Sequence, residues 1–286
     1  MPNSMCNFRN DLYIDHTKVP MSMDCFHSHT LTELMLIEEG HSEIITEAGK
    51  VTADGPFIVQ YPEGMLHLQR NSKEAPYSRY QLNFPTGRMR EKLPPGTPLT
   101  EFFLIPIPDT LSAYFSDIFA LIFETADRES EPGIDGRREL LIALIYNDLI
   151  PLMPKKITLA PPLNVSGEQR VFDVCRYIGE HFAEKLTLEG LAREFFISRS
   201  ALVRDFRLML DTTVVGYITK VRVAKAKYQL KNGASVSETA EMCGFSSDSY
   251  FVRVFRSVTG QTPAAFRGTF SGGKIVVSKG KTTLLQ

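Results

Sequence analysis

The chain has 286 residues, 43% of them hydrophobic and 23% charged, with four cysteines and no tryptophan. That length suggests two domains of about 100–200 residues each, and the composition is that of a folded globular protein and not of a low-complexity chain. The net charge of −1 conceals a split: residues 1–168 carry 14 Lys+Arg against 23 Asp+Glu, and residues 169–286 carry 18 against 10, an excess that points the second half toward a polyanionic partner.

The richest apolar stretch, 140–153, is interrupted by Asn147 and Asp148 and falls short of the roughly 20 residues a membrane span needs. The first residues carry Asp11, Asp15 and Asp24 and lack the apolar core of a signal peptide. Cys6, Cys25, Cys175 and Cys243 lie far apart and form no C-x-x-C pair, so they read as reduced thiols of a cytoplasmic protein. Cys175 and Cys243 fall in helical apolar patterns and read as small buried hydrophobes.

In chain order, short apolar runs come first. Segments 33–39, 42–46, 56–61, 65–69 and 78–84 read as strands, with Gly40, Ala48-Gly49, Asp54-Gly55 and Glu63-Gly64 as turns between them. Regularly spaced short strands imply a sandwich or small barrel. From 109 to 153 the period becomes helical, through Leu111, Phe115, Ile118, Phe119 and Ile122 and then Leu141, Leu144, Ile145 and Leu149, with Pro132-Gly133 as the break. Pro151, Pro154, Pro161 and Pro162 then mark an inter-domain linker. Beyond it the pattern is helical, beginning with the face Val171, Cys175, Ile178 and Phe182, until a Gly/Lys/Thr-rich tail from Ser271 that is expected to fray.

Two segments of the helical half share one design. Thr187 can cap a short helix, Phe196-Ile197 turns, and Ser198 can cap a second helix. In that helix Leu202 and Phe206 face inward while Arg199, Ser200, Val203, Arg204 and Arg207 face outward. The design recurs. Ser235 and Glu238 form a capping box; the helix through Thr239, Ala240 and Met242 stops at Gly244, which suits a left-handed backbone; Ser247 caps the next helix. There Phe251, Val254, Phe255 and Val258 face inward, and Ser249, Val252, Arg253 and Arg256 outward. A long helix over 214–231, with Tyr217, Ile218, Val221, Ala224 and Tyr228 as its buried stripe, spans about 27 Å at ~1.5 Å per residue. That strut suits two recognition helices in successive major grooves, about 34 Å apart. The candidate DNA contacts are therefore Arg199, Ser200, Val203, Arg204 and Arg207, followed by Ser247, Asp248, Ser249, Val252, Arg253 and Arg256. Guanidinium groups can fork onto guanine or phosphate; Arg253 and Arg256 could do either, and Asp248 also suits a helix start.

Residues 168–268 resemble the DNA-binding domain of the AraC family of transcription regulators. The match is carried by Ala240, Gly244-Phe245, Tyr250-Phe251, Val254-Phe255, Gly260, Pro263 and Phe266-Arg267, and by Leu191-Ala192, Ile197-Ser198, Leu202 and Phe206 in the first motif. Two positions depart from the family pattern. Asp211 stands where a glycine is usual, and Phe196 occupies the inner turn; Asp tolerates left-handed geometry better than most residues.

His27, His29, Glu33 and Gly40, followed by Gly55, Pro62, Gly64, His67 and Asn71, resemble the two motifs of the cupin barrel. Three imidazoles and a carboxylate could hold a divalent metal, line a metal-free effector pocket, or be structural; His41 reads as a surface turn residue.

The resemblances imply a multidomain α+β chain. An N-terminal cupin-like β-barrel (1–108) would be followed by a helical pair (109–153) for dimerisation or for packing on the barrel wall, a linker (154–167), an all-α, homeodomain-like tandem helix-turn-helix domain of seven helices (168–270) and a flexible tail (271–286). They imply a sequence-specific transcription regulator of the cytoplasm, binding double-stranded promoter DNA, a small-molecule effector and RNA polymerase, as a homodimer and with no required cofactor. The competing reading is a cupin metalloenzyme at His27, His29, Glu33 and His67. The sequence holds no nucleophile–base pair or phosphate-cradling glycine loop, so no enzyme activity is expected.

Overall fold

The computed structural model describes residues 6–7, 12–20, 25–125, 128, 131–159 and 165–268. They divide into two compact units. One holds the N-terminal residues up to 159 except Cys25 and Phe26; those two join residues 165–268 in the other.

The first unit contains β1 (Cys6–Asn7), β2 (Tyr13–Thr17), β3 (Thr32–Glu39), β4 (His41–Thr46), β5 (Gly49–Asp54), β6 (Phe57–Tyr61), β7 (His67–Asn71), β8 (Ser78–Phe84) and β9 (Phe103–Pro106). All pairings are antiparallel. They form a six-stranded sheet, β1-β2-β8-β3-β6-β9, and a three-stranded sheet, β5-β4-β7, so the expected barrel is a pair of sheets and not a closed ring. Alternation along each strand divides the residues between two cores. Leu34, Leu36, Ile58 and Leu82 face a helical layer, whereas Met35, Ile37, Phe57 and Val59 share a core with Ile44, Val51 and Ala53 of the smaller sheet. Because β3 is buried on both faces, Leu34–Ile37 is a continuous apolar run.

Four expected strands fall in place; the fifth, expected at 65–69, begins two residues later because Met65 is held in a turn by Pro62. The sequence reading did not include β1, β2, β5 or β9. In β5 every second residue is exposed, and the flanking glycines mask the short alternation.

α1 (Thr86–Arg90) follows β8, then α2 (Asp109–Phe123), α3 (Ile134–Leu149) and a 3-10 turn (Ile150–Lys155). Phe115, Ile118, Phe119 and Ile122 of α2 and Ile142, Ile145, Tyr146 and Leu149 of α3 bury against the large sheet, each full burial contributing about 1.5–3 kcal/mol. Leu144, expected in the stripe, is exposed. Residues 154–159, expected as linker, are packed: Ile157 donates its N–H to the Leu104 carbonyl (2.7 Å), and Ile157 and Leu159 lie against the inter-sheet core. The expected tail, 271–286, lies outside the described residues. Among the described residues no helix is long and apolar enough to cross a membrane.

The second unit has the seven expected helices: α4 (Val165–His181), α5 (Leu188–Glu194), α6 (Arg199–Leu210), α7 (Val214–Lys231), α8 (Val236–Met242), α9 (Asp248–Thr259) and α10 (Pro263–Gly268). It also takes in Phe26, whose ring lies 4.7 Å from that of Phe172 and whose carbonyl accepts from the Tyr217 hydroxyl at 3.4 Å. The buried stripe of α7 differs from the expected one. Val214, Tyr217, Ile218 and Val221 are buried in its first half and Val223, Ala226 and Leu230 in its second, leaving Ala224 and Tyr228 exposed. The second set packs with α8 and α9 through Ala240, Cys243, Phe251 and Phe255. One helix serving two cores must turn its apolar face partway along.

Candidate nucleic-acid interface and histidine cluster

The second unit contains an internal repeat, α5–turn–α6 and α8–turn–α9, visible in its hydrogen bonds. Thr187 caps α5 by accepting from the Gly190 N–H. Ser235 caps α8 by accepting from Glu238 N–H, while the Glu238 carboxylate accepts from Ser235 N–H at 2.8 Å. Both first helices end on a left-handed residue, Phe196 (φ 53) and Gly244 (φ 71). In each turn the next N–H donates back, Ile197 to Ala192 (2.9 Å) and Phe245 to Ala240 (3.0 Å). Ser198 and Ser247 then cap second helices of 12 residues, which end on Asp211 (φ 48) and Gly260 (φ 78), again left-handed. Aspartate thus adopts the geometry expected of it.

Gly244 is required twice over. Besides its positive φ, a Cβ there would lie 2.4 Å from the Ala183 carbonyl oxygen.

The candidate DNA-contacting residues share the wet faces of α6 and α9. Arg199, Ser200, Val203, Arg204, Arg207, Ser247, Asp248, Ser249, Arg253 and Arg256 are exposed, and Val252 is half-buried. Leu202, Phe206, Phe251 and Phe255 are buried and Val254 is partly so; Val258, expected inward, is exposed near the end of α9. Several arginines already have partners. Arg199 donates to Glu189 (2.9 Å), Arg204 forks onto Asp205 Oδ1 (3.1 and 3.0 Å), and Arg253 lies over the Tyr250 ring at 5.4 Å.

In the first unit His27, His29, Glu33 and His67 come together, each offering one ligand atom within 4.8 Å of the others. Reciprocal backbone hydrogen bonds between His27 and His67 (3.1 and 3.0 Å) join the two motifs, and Gly64 donates to the His29 carbonyl (2.8 Å). Burial by itself would raise the carboxyl pKa of Glu33, but the imidazoles of His29 and His67 outweigh it and hold the group well below the usual carboxylate range. Its Oε2 lies 2.9 Å from His29 Nε2 and 3.2 Å from His67 Nε2. Both contacts are within ion-pair distance, and both Glu33 oxygens and the His67 Nε2 are fully buried. His67 Nδ1 faces the Met65 carbonyl at 2.9 Å. A carbonyl only accepts, so Nδ1 carries the hydrogen and the Nε2 of a neutral ring turns a lone pair toward a carboxylate. Only a cation between them, a proton or a metal, removes that conflict. His41 lies apart, in β4, paired with Asp54 at 2.8 Å.

A helix-turn-helix domain model matches residues 191–269. The bifunctional transcriptional activator/DNA repair enzyme AdaA of Bacillus subtilis (strain 168) is 37% identical over 108 residues, 35% of this chain and 51% of AdaA. The arabinose operon regulatory protein of Salmonella typhimurium is 26% identical over 214 residues, 73% of this chain and 74% of that protein. Residues 191–269 are an AraC-type helix-turn-helix domain. An apo ToxT variant from Vibrio cholerae strain SCE256 overlays on 93% of this chain and all of its own, at 10% identity and a TM-score of 0.48. The chain spans about half the length of AdaA.

Within the AraC-type domain, sequence reasoning missed Asp205. It is buried, takes a hydrogen bond from Arg170 at 3.0 Å, and sits between the inward Leu202 and Phe206. The signal was present in the helical wheel, since i+3 from Leu202 lies on the flank of the inner face. In the first unit it missed Arg79, which is buried on the inter-sheet side beside Met35 and lies 3.8 Å from Asp15; its Nε makes no hydrogen bond among the described residues.

Proposed function

We propose that this protein is a sequence-specific, DNA-binding transcription regulator. The observation that carries the reading is the repeat itself: two capped helix pairs of the same design, each with an arginine-bearing wet face, joined by the 18-residue α7. In this reading α6 and α9 enter successive major grooves of promoter DNA. Arg199, Ser200, Val203, Arg204 and Arg207 act in one groove, and Ser247, Asp248, Ser249, Val252, Arg253 and Arg256 in the next. RNA polymerase is the downstream partner. Selection of duplexes from a random-sequence pool, followed by footprinting at moderate salt, should give a protected site of roughly 17–20 bp per chain. Protection with no sequence preference would sink the reading.

The first unit is proposed as the sensor. Support comes from its polar inter-sheet side, where the buried Tyr77 hydroxyl and Arg79 Nε have no hydrogen bond among the described residues, an expensive arrangement unless a polar group is supplied there. The helical pair 109–153 is proposed as a dimerisation surface, because Tyr114, Leu121, Leu140 (72% exposed) and Leu144 remain exposed after the sheet is covered.

His27, His29, Glu33 and His67 are proposed to hold a divalent transition metal, supported by four ligand atoms converging within 4.8 Å around the buried Glu33 and His67. Such an ion would supply a fixed positive charge within the sheet. Met65 fixes the His67 tautomer by accepting from Nδ1, and Tyr61 stacks on the His67 ring at 3.8 Å. Elemental analysis after dialysis against zinc, iron or manganese should find one equivalent in wild type and much less in His29→Ala. An equal metal content in the two would remove the metal from the proposal and leave the DNA reading untouched.

A further inference from the structure

Arg204 and Asp205 are adjacent on α6, and sequence neighbours on a helix do not face each other. Arg204 is nevertheless bent back onto Asp205. Its Nε and Nη2 both donate to Asp205 Oδ1, at 3.1 and 3.0 Å, while Arg170 on α4 donates to Oδ2 at 3.0 Å. The carboxylate is only 6% exposed and the Arg204 side chain 61%. Asp205 is thus fixed from below by Arg170 and grips Arg204 by one edge. A guanidinium has five N–H donors in a planar fork. With the Nε edge engaged, the Nη1–Nη2 end is free, and that end carries the parallel pair of N–H groups that matches guanine O6 and N7.

The other repeat gives a second observation. Counting from the capping serines Ser198 and Ser247, Arg204 and Arg253 occupy the same helix position. Arg253 is held over the Tyr250 ring at 5.4 Å, and the counterpart of Asp205 is the apolar Val254. Each repeat therefore restrains the same arginine, by a carboxylate in one and by an aromatic face in the other.

We infer that Asp205 is a positioning residue that holds Arg204 as a base-reading fork and keeps it from serving as a general phosphate contact. The inference rests on the reading of α6 as a DNA-recognition helix. Phosphate contacts bind all sequences alike, whereas base contacts discriminate. A carboxylate beside the arginine repels phosphate while leaving its fork available to a base.

The test uses the full chain, a duplex selected from a random pool by wild type, and a mixed-sequence duplex of the same length. Asp205→Asn should lower discrimination between the two by about tenfold, within the range expected for one bidentate base contact, with affinity for mixed-sequence DNA unchanged or raised. Arg204→Ala should lower discrimination comparably, and the double variant should be no worse than Arg204→Ala alone. Full discrimination in Asp205→Asn, or losses that add in the double variant, would overturn the positioning role. A readout independent of the stability of Asp205→Asn is the salt dependence of Arg204→Ala on mixed-sequence DNA. Its slope should match wild type, and a slope reduced by about 1 marks a phosphate contact and overturns the inference. A wild-type chain that selects no duplex fails the regulator reading itself and takes this inference with it. A wild type that selects one while Asp205→Asn discriminates equally well sinks the positioning role alone.

Discussion

Phe196 holds a left-handed backbone (φ 53) with its side chain 96% exposed, where Gly244 stands in the other repeat. A left-handed residue with a Cβ costs roughly 1–2 kcal/mol, and an exposed ring recovers little of that by burial. Phe196→Asn should therefore stabilise the second unit by about 1 kcal/mol, since asparagine tolerates this geometry; an unchanged or lower denaturation midpoint would contradict the account. Gly244→Ala should do the opposite. It adds both the strain of φ 71 and a methyl 2.4 Å from the Ala183 carbonyl oxygen, a cost of about 2 kcal/mol or more, read as a lower midpoint and weaker DNA binding. The role of Gly244 was legible because glycine advertises its backbone. Phe196 concealed the same backbone, because phenylalanine has no preference for it. Asp205 was hidden for a different reason: its main anchor, Arg170, lies 35 positions away on another helix.

At the scale of elements, α2 is keyed to the large sheet by a polar knot as well as by its apolar stripe. Glu38 on β3 accepts from Ser78 of β8 at 2.5 Å and lies 3.6 Å from the Nε2 of His16 on β2; His16 stacks on Tyr80 at 4.0 Å. Hydrogen bonding to His16 is the largest cause of a Glu38 pKa lowered to about 2, with Ser78 and Ser116 of α2 adding to it against the opposing effect of burial. A carboxylate depressed on folding stabilises fully above its unfolded pKa, and that contribution fades as pH falls through the folded one. The stability tied to Glu38 should thus be complete above about pH 4.5 and lost by about pH 2. Glu38→Gln should flatten the acid limb of a plot of melting temperature against pH over that interval; superposable limbs would show the knot contributes nothing. Strand identity was largely readable here because β3 and β6 are short apolar runs bounded by turn residues, and β8 alternates Tyr80, Leu82 and Phe84 with polar residues. The exceptions were physical: β5 is short and glycine-flanked, and the face of α7 rotates between two cores, so a single helical stripe through Ala224 and Tyr228 could not describe it.

At the scale of the whole molecule, the charge split already separated an acidic first part from a basic second one, and the doubled motif located α6 and α9, the proposed recognition helices. What local patterning could not show is a pairing across 191 positions, in which the Tyr217 hydroxyl donates to the Phe26 carbonyl while the Phe26 ring packs on Phe172. Phe26→Ala in the full chain should speed amide exchange in α4 and α7 and leave β3 and β8 protected; uniform exchange in all four would mean the aromatic pair contributes no local stability. Cutting the gene within the proline-rich stretch would release a C-terminal fragment with a hole where an N-terminal ring had been. Such a fragment should melt early and be rescued by a short peptide spanning Cys25 and Phe26 added in trans, so the border drawn by sequence order is not the border along which this protein comes apart.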